Sequence, residues 1–366
     1  MSGTVYRNSV KVKGELAAPS VPSYMKMASH VAGYSEATAG NRIVCSTLAP
    51  NGKLYFMPGL NSGSQKIVVL DPLTGDIENL GCGSWMGYGA VTAPDGMIYG
   101  MPGDSTSSIM KLNPETHEVD VDHLTGVGGS MAYHGARLHP NGNIYFIPSD
   151  ATNVGVYDYV NNVFSSTTAG LTGLPATSNK WMGACIAPNG KMYCGGYGHN
   201  SILIIDPETP SVDYTTIAGM STYVNTGWRK GTLAPNGKIY FAPRDSTSVL
   251  IVDPETDTAD ETTIAGLPST DKYSQGTLAP NGKIYCFPIY ANNALVIDPV
   301  TNTVDTTTYT GFRSGYYKYY NSILAPNGKV YSAGYGDSFY KFVELNPGGI
   351  PILPIEPLLS LYVNNG

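Results

Sequence analysis

The chain has 366 residues and a net charge of −7, and only 13% of its residues are charged, against about a quarter in typical domains. This acidic balance argues against nucleic acid as a partner, because nucleic-acid-binding faces are basic. No apolar run approaches the length that spans a bilayer, so we expect no membrane insertion. The 43 Gly and 27 Tyr residues are instead typical of a β-rich, turn-rich protein.

The N-terminal residues carry no basic-then-apolar signal segment. We therefore expect the chain to be made in the cytoplasm without a signal peptide, although it could leave the cell as part of a particle. Residues 1–21 form a predicted extended arm, in which residues 4–12 alternate between polar and apolar in the manner of a strand.

From residue 22 onward the chain is a tandem repeat. Seven copies of a stretch such as residues 278–288 (LAPNGKIYCFP) follow each other in steps of 44 to 48 residues. A regular period of this length indicates one supersecondary unit used repeatedly. The turns of the seven copies contain Asn51, Asp95, Asn141, Asn189, Asn236, Asn281 and Asn327.

The second copy illustrates the predicted unit. It contains four short strand patterns, at residues 89–93, 97–101, 108–112 and 118–123, separated by turn residues. Such a sheet cannot bury both of its faces alone, so seven of them are expected to stack radially. The sequence therefore predicts an all-β, seven-bladed β-propeller with four-stranded antiparallel blades over residues 22–347.

Recurring residues have predicted structural roles. The tyrosine of each second strand should lie between adjacent blades, with its hydroxyl on a polar partner. The aspartates of the Asp-Pro turns should bond their own backbone. The Pro-Asn-Gly turn should be a three-residue loop with glycine in the left-handed region, which places Cys185 opposite Tyr193. The five cysteines lack paired spacing and are interpreted as small apolar residues.

Blade 7 supplies only three strands before the chain leaves it at Pro347. A segment at residues 25–33 aligns with residues 212–219, the fourth strand of blade 4. We therefore expect the N-terminal strand to complete the last blade, which closes the ring and removes an open sheet edge.

Residues 348–366 form a second predicted arm. Four prolines between positions 347 and 357 exclude a helix and favour an extended path. The arm is too apolar for a solvated tail, so it should lie on the propeller, on another copy or on a partner. Its candidate assembly residues are Ile352, Leu353, Ile355, Leu358, Leu359, Leu361 and Tyr362.

The repeat resembles those of the NHL, YVTN and virginiamycin-lyase-like group of seven-bladed propellers. Those repeats also read x-Pro-Asp/Asn-Gly-x-Ile/Leu-Tyr, followed by a strand and Asp-Pro. The resemblance covers about residues 22–347 and implies the same architecture. The group includes interaction modules, lyases and metal-dependent lactonases, so the resemblance leaves the function open.

In such a propeller the loops that enter the first strands share one face, the top, with the loops between the second and third strands. The Pro-Asn-Gly turns lie on the opposite face, the bottom. The upper loops are irregular in sequence, which favours the top as the binding face. Those between the second and third strands contribute Asn61, Asp104, Asp150, His199, Arg244, Asp245, Asn292 and Asp337, which share no obvious ligand set.

Two columns of residues near the top of the first strands are of particular interest. Column A is the seventh residue before each turn proline: Ile43, Gly87, Tyr133, Trp181, Trp228, Tyr273 and Tyr319. Column B is the sixth: Val44, Tyr88, His134, Met182, Arg229, Ser274 and Tyr320. The candidate binding residues are Tyr88, Tyr133, His134, Trp181, Trp228, Arg229, Tyr273, Tyr319 and Tyr320.

Two interpretations of these columns remain open. At the mouth of the axial channel they would form an aromatic and polar ring suited to a glycan or a cell-surface receptor. Alternatively, the aromatic side chains pack between the blades.

An enzyme is a further alternative. A lyase-type site needs a histidine and a carboxylate together, for which His134, His199 and Glu36 are candidates. A lactonase-type site needs acids around a divalent cation, and the upper-loop aspartates are spread over several blades.

Taken together, the sequence predicts a non-enzymatic binding or structural module without a cofactor or a metal. Low charge and apolar arms favour a component of a large assembly that contacts other protein subunits through both termini. A bacteriophage virion component, in a tail, a fibre or a capsid decoration, is the most specific hypothesis.

Overall fold

Short strands joined by tight turns make up the described part of the chain. This computed structural model describes residues 24–27, 42–59, 65–103, 106–129, 131–221, 227–268, 273–312, 315, 317–335 and 342–348. They form 28 strands and contain no helix. Accordingly, none of the described segments is a helix long and apolar enough to cross a membrane.

The strands form seven four-stranded antiparallel sheets, one per blade. Blade 1 contains β2 (Ile43–Leu48), β3 (Leu54–Pro58), β4 (Lys66–Leu70) and β5 (Ile77–Gly81), and blade 2 contains β6 (Gly87–Thr92), β7 (Ile98–Pro102), β8 (Ile109–Leu112) and β9 (Val119–Leu124). Blade 3 contains β10 (Tyr133–Leu138), β11 (Ile144–Pro148), β12 (Gly155–Asp158) and β13 (Val163–Ser165), and blade 4 contains β14 (Trp181–Ile186), β15 (Met192–Gly196), β16 (Leu203–Asp206) and β17 (Ser211–Asp213). Blade 5 contains β18 (Trp228–Leu233), β19 (Ile239–Pro243), β20 (Leu250–Asp253) and β21 (Thr258–Asp260), and blade 6 contains β22 (Tyr273–Leu278), β23 (Ile284–Pro288), β24 (Leu295–Asp298) and β25 (Thr303–Asp305). Blade 7 contains β26 (Ile323–Leu324), β27 (Val330–Ala333), β28 (Phe342–Asn346) and the N-terminal β1 (Tyr24–Met27).

The predicted seven-bladed propeller is confirmed. In blade 2 every observed strand begins and ends within two residues of its predicted bounds. The turn after β14 is also as predicted: Gly190 has φ +81°, its N–H donates to the Ala187 carbonyl at 3.0 Å, and Cys185 pairs with Tyr193. All five cysteines are free thiols.

The core consists of seven clusters, each between two adjacent blades. Side chains alternate along a strand, so neighbouring residues serve opposite interfaces. Tyr193 packs with Trp228 and Phe241 of blade 5, whereas the next residue, Cys194, packs in the cluster that contains Tyr145 of blade 3. Each blade therefore buries both faces only when it has a neighbour on each side.

A hydrogen-bonded latch joins adjacent blades at the bottom. The Asn236 amide donates to the Tyr240 hydroxyl at 2.9 Å and to the Pro299 carbonyl of blade 6 at 3.0 Å. Its oxygen accepts the Lys238 N–H at 3.1 Å. The predicted role of the repeated tyrosine, between blades with a polar partner, is thus confirmed. The same latch links Asn51 to Pro114, Asn189 to Pro254, Asn281 to Pro347 and Asn327 to Pro72.

Blades 2 and 3 replace the latch by other contacts. Asp95 stands at the asparagine position and accepts the Tyr99 hydroxyl at 2.7 Å, while the Tyr99 ring packs on Tyr157 of blade 3. In blade 3, His139 Nε2 is 2.9 Å from the Gly190 carbonyl of blade 4. A polar or aromatic contact therefore holds these interfaces as well.

The Asp-Pro turns are built as predicted. The Asp206 carboxylate accepts the N–H groups of Glu208 and Thr209, both at 3.0 Å. Asp298 likewise accepts the Val300 N–H at 3.0 Å. These carboxylates therefore stabilise their own turns through hydrogen bonds.

Pairing of the chain's two ends closes the ring. β1 lies antiparallel to β28, with Tyr24 opposite Asn346, so the predicted closure by an N-terminal strand is confirmed. The latch on Pro347 places this end of blade 7 at the bottom. Residues 1–23 and 349–366, including the seven apolar candidate assembly residues, lie outside the described residues.

We expect Asn236→Ala to lower the free energy of unfolding by about 0.5–1.5 kcal/mol, because the hydrogen bonds of its side-chain amide to Tyr240 and to the next blade are lost. Denaturant unfolding measures this change. Asn161→Ala is the matched control, since its exposed amide bonds only Asp158 of its own turn, and it should change stability by less than about 0.5 kcal/mol. Equal effects of the two substitutions would contradict a stabilising latch.

Candidate functional site

A β-bulge interrupts the first strand in each of blades 1–6. In every case the register of pairing with the second strand shifts near the start of the first strand. The shift lies between column A or B and the fourth or fifth residue before the turn proline. Bulges of this kind re-aim side chains. Here the bulge brings column B and the residue after it to the axis of the propeller, a feature that the repeat pattern did not reveal.

The axial cavity has a volume of about 70 Å³ and is lined by sixteen described residues. Column B from six of the seven blades contributes to it. In blade 6 the column B residue is Ser274, which is fully buried and is not among the lining residues. The column B lining residues are Val44, Tyr88, His134, Met182, Arg229 and Tyr320.

Column A packs between the blades instead. Trp181 and Trp228 are 0% and 1% exposed, and their indole N–H groups donate to the carbonyls of Ser201 and Ser248, both at 3.0 Å. Of the two interpretations of these columns, packing between the blades therefore holds for column A, and the bulge turns the following residues to the axis. The other buried aromatic residues of this column are Tyr133, Tyr273 and Tyr319.

One side of the cavity carries a ring stack from two blades. Tyr88 and His134 lie with ring centroids 4.4 Å apart and 15° between their planes. Burial, together with the positive charges of Arg229 and Arg244, lowers the pKa of His134 to about 3. The imidazole is therefore neutral and a weak proton acceptor near neutral pH, where a general base works best with a pKa close to the ambient pH.

The opposite side carries a chain of cation–π and ring contacts. The Arg229 guanidinium of blade 5 lies 4.5 Å from the Tyr320 ring centroid of blade 7. The Arg229 side chain therefore reaches across blade 6, where the column B residue is the small Ser274. Tyr320 stacks on Tyr335 at 4.2 Å, and Arg42 of blade 1 lies 5.4 Å from the Tyr335 ring. These contacts join blades 5, 7 and 1 around the mouth.

The loop that enters blade 7 supplies a residue that the sequence analysis did not single out. Tyr317 is 43% exposed, has a φ of +56°, and packs against Tyr290 at 5.1 Å and Tyr320 at 6.1 Å. A positive φ at a non-glycine residue is uncommon and often marks a functional segment. The sequence feature that could have indicated this residue is the run Tyr-Tyr-Lys-Tyr-Tyr at residues 316–320, which no other copy of the repeat contains.

The upper-loop candidates have separate surroundings. Arg244 lies 5.3 Å from the Tyr197 ring and donates to its hydroxyl. Asp150 accepts the Asn179 N–H at 2.7 Å, and His199 bonds the Ser201 hydroxyl at 2.8 Å. Three of these loop candidates, and the proposed lyase carboxylate, lie outside the described residues: Asn61, Asp104, Asp337 and Glu36.

The described residues offer neither a metal site nor an acid–base pair at the axis. No group of three or more described His, Cys, Asp or Glu side chains is arranged to hold a metal ion. The sixteen residues that line the cavity include no Asp or Glu. Burial raises the pKa of the Cys45 thiol at the cavity to about 12, so this cysteine is not a reactive thiolate.

No protein-family model and no curated protein matches this chain. Several solved structures do match it. A streptogramin B lyase is 14% identical, with a TM-score of 0.66, over 88% of this chain and 97% of that one. A catalytically inactive virginiamycin B lyase from Staphylococcus aureus with quinupristin is 12% identical, with a TM-score of 0.69, over 89% and 99%. The fold is shared with these lyases.

A putative 6-phosphogluconolactonase from Bacteroides uniformis is also similar. It is 15% identical, with a TM-score of 0.56, over 73% of this chain and 84% of that one. The predicted resemblance to virginiamycin-lyase-like propellers is therefore confirmed. At these identities the likeness shows the fold alone.

His134, which lines the cavity, predicts a pH dependence of stability. Its pKa of about 3 in the folded chain lies below the ordinary value of 6.5, so between these values the unfolded chain binds a proton that the folded chain excludes. The free energy of unfolding should therefore fall by a few kcal/mol as the pH falls from about 6.5 to about 3.

His134→Phe keeps a ring against Tyr88 and removes the titration, so it should lose less stability than the wild type over this pH range. Denaturant unfolding at several pH values measures the difference. Equal losses in the wild type and in His134→Phe would show that His134 does not titrate as described.

Proposed function

We propose that the chain is a non-enzymatic binding module of a larger assembly, attached by its two arms at the bottom and presenting its top face. The pairing of Tyr24 with Asn346 carries this proposal. It places Tyr24 and Asn346, from which the two arms continue, side by side at the bottom of blade 7, whereas the axial cavity is lined by residues near the top of the first strands. In this proposal attachment and presentation use opposite faces.

Exposed apolar residues support contacts on the bottom face. Leu73, Val160 and Val300 are 80%, 76% and 88% exposed, and each lies in the turn between the third and fourth strands of its blade. The corresponding position holds a glutamate in blades 2, 4 and 5. Isolated exposed apolar residues are common, but here they share a face with the origin of an apolar arm.

The most specific form of the proposal is a bacteriophage virion component in a tail, a fibre or a capsid decoration. Its support is the low charge, the richness in Gly and Tyr, and the apolar C-terminal arm. In this proposal the chain is made in the cytoplasm and functions in the particle, and its partners are other protein subunits.

Deleting residues 349–366 tests the attachment. The truncation keeps Gly348, whose N–H donates to Asn346 at 3.0 Å, so the propeller should keep its thermal unfolding midpoint. Light scattering coupled to size-exclusion chromatography should show that the full chain self-associates or enters its particle and that the truncated chain is monomeric.

A second variant retains the length of the arm and replaces its seven apolar candidate residues by serine. It should behave like the truncation if apolar contacts drive assembly. Normal assembly of both variants, or a full chain that remains monomeric and enters no particle, would contradict the proposal.

Recognition of a glycan or a cell-surface receptor at the top is a second candidate. The exposed Tyr317 ring, next to Tyr320 and the Arg229 guanidinium, favours it, because aromatic faces stack on sugars and arginine binds acidic groups. The cavity of about 70 Å³ is far smaller than pockets that enclose larger ligands, typically about 300–1,000 Å³. A glycan would therefore lie across the mouth.

Tyr317→Ala should reduce binding on a glycan array or to target cells at least about tenfold, which corresponds to about 1.4 kcal/mol, without loss of thermal stability. Tyr159→Ala, a partly buried tyrosine in a bottom turn, should leave binding unchanged. Trp181→Ala tests folding instead, since the loss of a fully buried tryptophan costs about 3–5 kcal/mol. Unaltered binding by Tyr317→Ala would exclude this use of the mouth.

An enzyme remains the other alternative, prompted by the lyase and the putative lactonase among the solved neighbours. His134 is its candidate proton acceptor. The low pKa of His134, and the lack of carboxylates among the described lining residues, favour the binding proposals over it.

A further inference from the structure

The residue after column B, here column C, divides the axial wall into two parts. In blades 2, 3 and 4 it is glycine, and the neighbouring blade occupies the space of a side chain. A Cβ at Gly89 would lie 2.7 Å from the Ala136 nitrogen, and one at Gly135 would lie 2.8 Å from the Gly183 Cα. Blades 5 and 6 instead carry Lys230 and Gln275 at this position. The long polar side chains of column C therefore enter the cavity from one side.

The charge of the cavity wall has one sign. Arg229 and Lys230 are consecutive lining residues, and none of the sixteen described lining residues is acidic. A third cation, Arg137, is buried and close enough to Lys230 to affect its ionisation. A cavity of this kind favours a negatively charged occupant, since low-dielectric walls strengthen the field of the cations.

We propose that the axial cavity is a binding site for an oxyanion, held by Lys230 and Arg229 on one side. The ligand is either a free inorganic oxyanion or the acidic group of a larger molecule that lies on the top face. This site is separate from the attachment through the arms, so either proposal can fail without the other.

Further donors are in place for such a ligand. The Ser46 hydroxyl of blade 1 lines the cavity, is buried, and has no hydrogen-bond partner among the described residues. The Gln275 amide also lines the cavity and is 3.5 Å from the Ser322 carbonyl, a long contact that leaves it able to donate elsewhere. The volume of about 70 Å³ is enough for a few water molecules or one small oxyanion.

The ionisation of Lys230 connects the site to pH. Burial and the charge of Arg137 lower the pKa of Lys230. Of the other lining groups, Arg229 stays charged and His134 stays neutral near neutral pH. An oxyanion beside Lys230 raises its pKa, so binding takes up a proton and weakens as the pH rises.

The test uses sulfate, whose charge is constant over the pH range, and glucuronate as a carboxylate-bearing sugar, with glucose as its uncharged counterpart. Calorimetry on the full chain at about pH 6 and about pH 9 should show binding of sulfate, of glucuronate or of both, with proton uptake and lower affinity at the higher pH. Binding of sulfate alone identifies a free oxyanion, and tighter binding of glucuronate identifies the acidic group of a larger ligand.

Lys230→Met should weaken this binding at least about tenfold, and Arg229→Gln should weaken it as well. Lys238→Met is the matched control, because Lys238 is in the same blade but pairs with Asp253 on the bottom at 3.0 Å, and it should bind as the wild type does. If Lys230→Met does not fold, the proton uptake of the wild type and the affinity of Arg229→Gln still test whether the cavity binds an oxyanion. Affinities weaker than about 10 mM for both anions, or equal affinities in all variants, would overturn the proposal.

Discussion

The pairing of β1 with β28 is the contact on which the rest of the propeller depends. Every blade is apolar on both faces, so a row of blades would leave two apolar surfaces in water, and only a closed ring buries them all. The strand that completes blade 7 comes from the opposite end of the chain, so closure of the ring and completion of the last sheet are one event. The bottom latches then fix the positions of adjacent blades, each through a carbonyl of the next blade.

Much of this architecture could be predicted because it is repeated. A residue type that recurs seven times, such as the tyrosine of the second strand, reports a constraint that every blade shares. Proline in the turn, the left-handed Gly190 and the opposition of Cys185 and Tyr193 follow from local backbone rules that need no knowledge of the partners. The closure could be predicted for the same reason, since the N-terminal strand resembles the fourth strand of another blade.

The site could be predicted only in part, because it depends on geometry that the repeat conceals. Columns A and B differ by one position, and the bulge in the first strand decides which of them faces the axis. It buries Trp181 and Trp228 and turns Arg229 inward. The contact between Arg229 and Tyr320 spans two blades and requires the small Ser274 between them, a relation that sequence periodicity does not express. Tyr317 belongs to one irregular loop, so no column pointed to it.

The position of the two arms also has a mechanical consequence. They continue from the same end of an antiparallel pair, next to Tyr24 and Asn346. A force that pulled the arms in opposite directions would open the hydrogen bonds between β1 and β28 one after another, as a zipper opens, starting at the bottom. A force that acted on both arms in the same direction would load the two strands together and leave their pairing intact. The ring therefore withstands tension best when one partner holds both arms side by side.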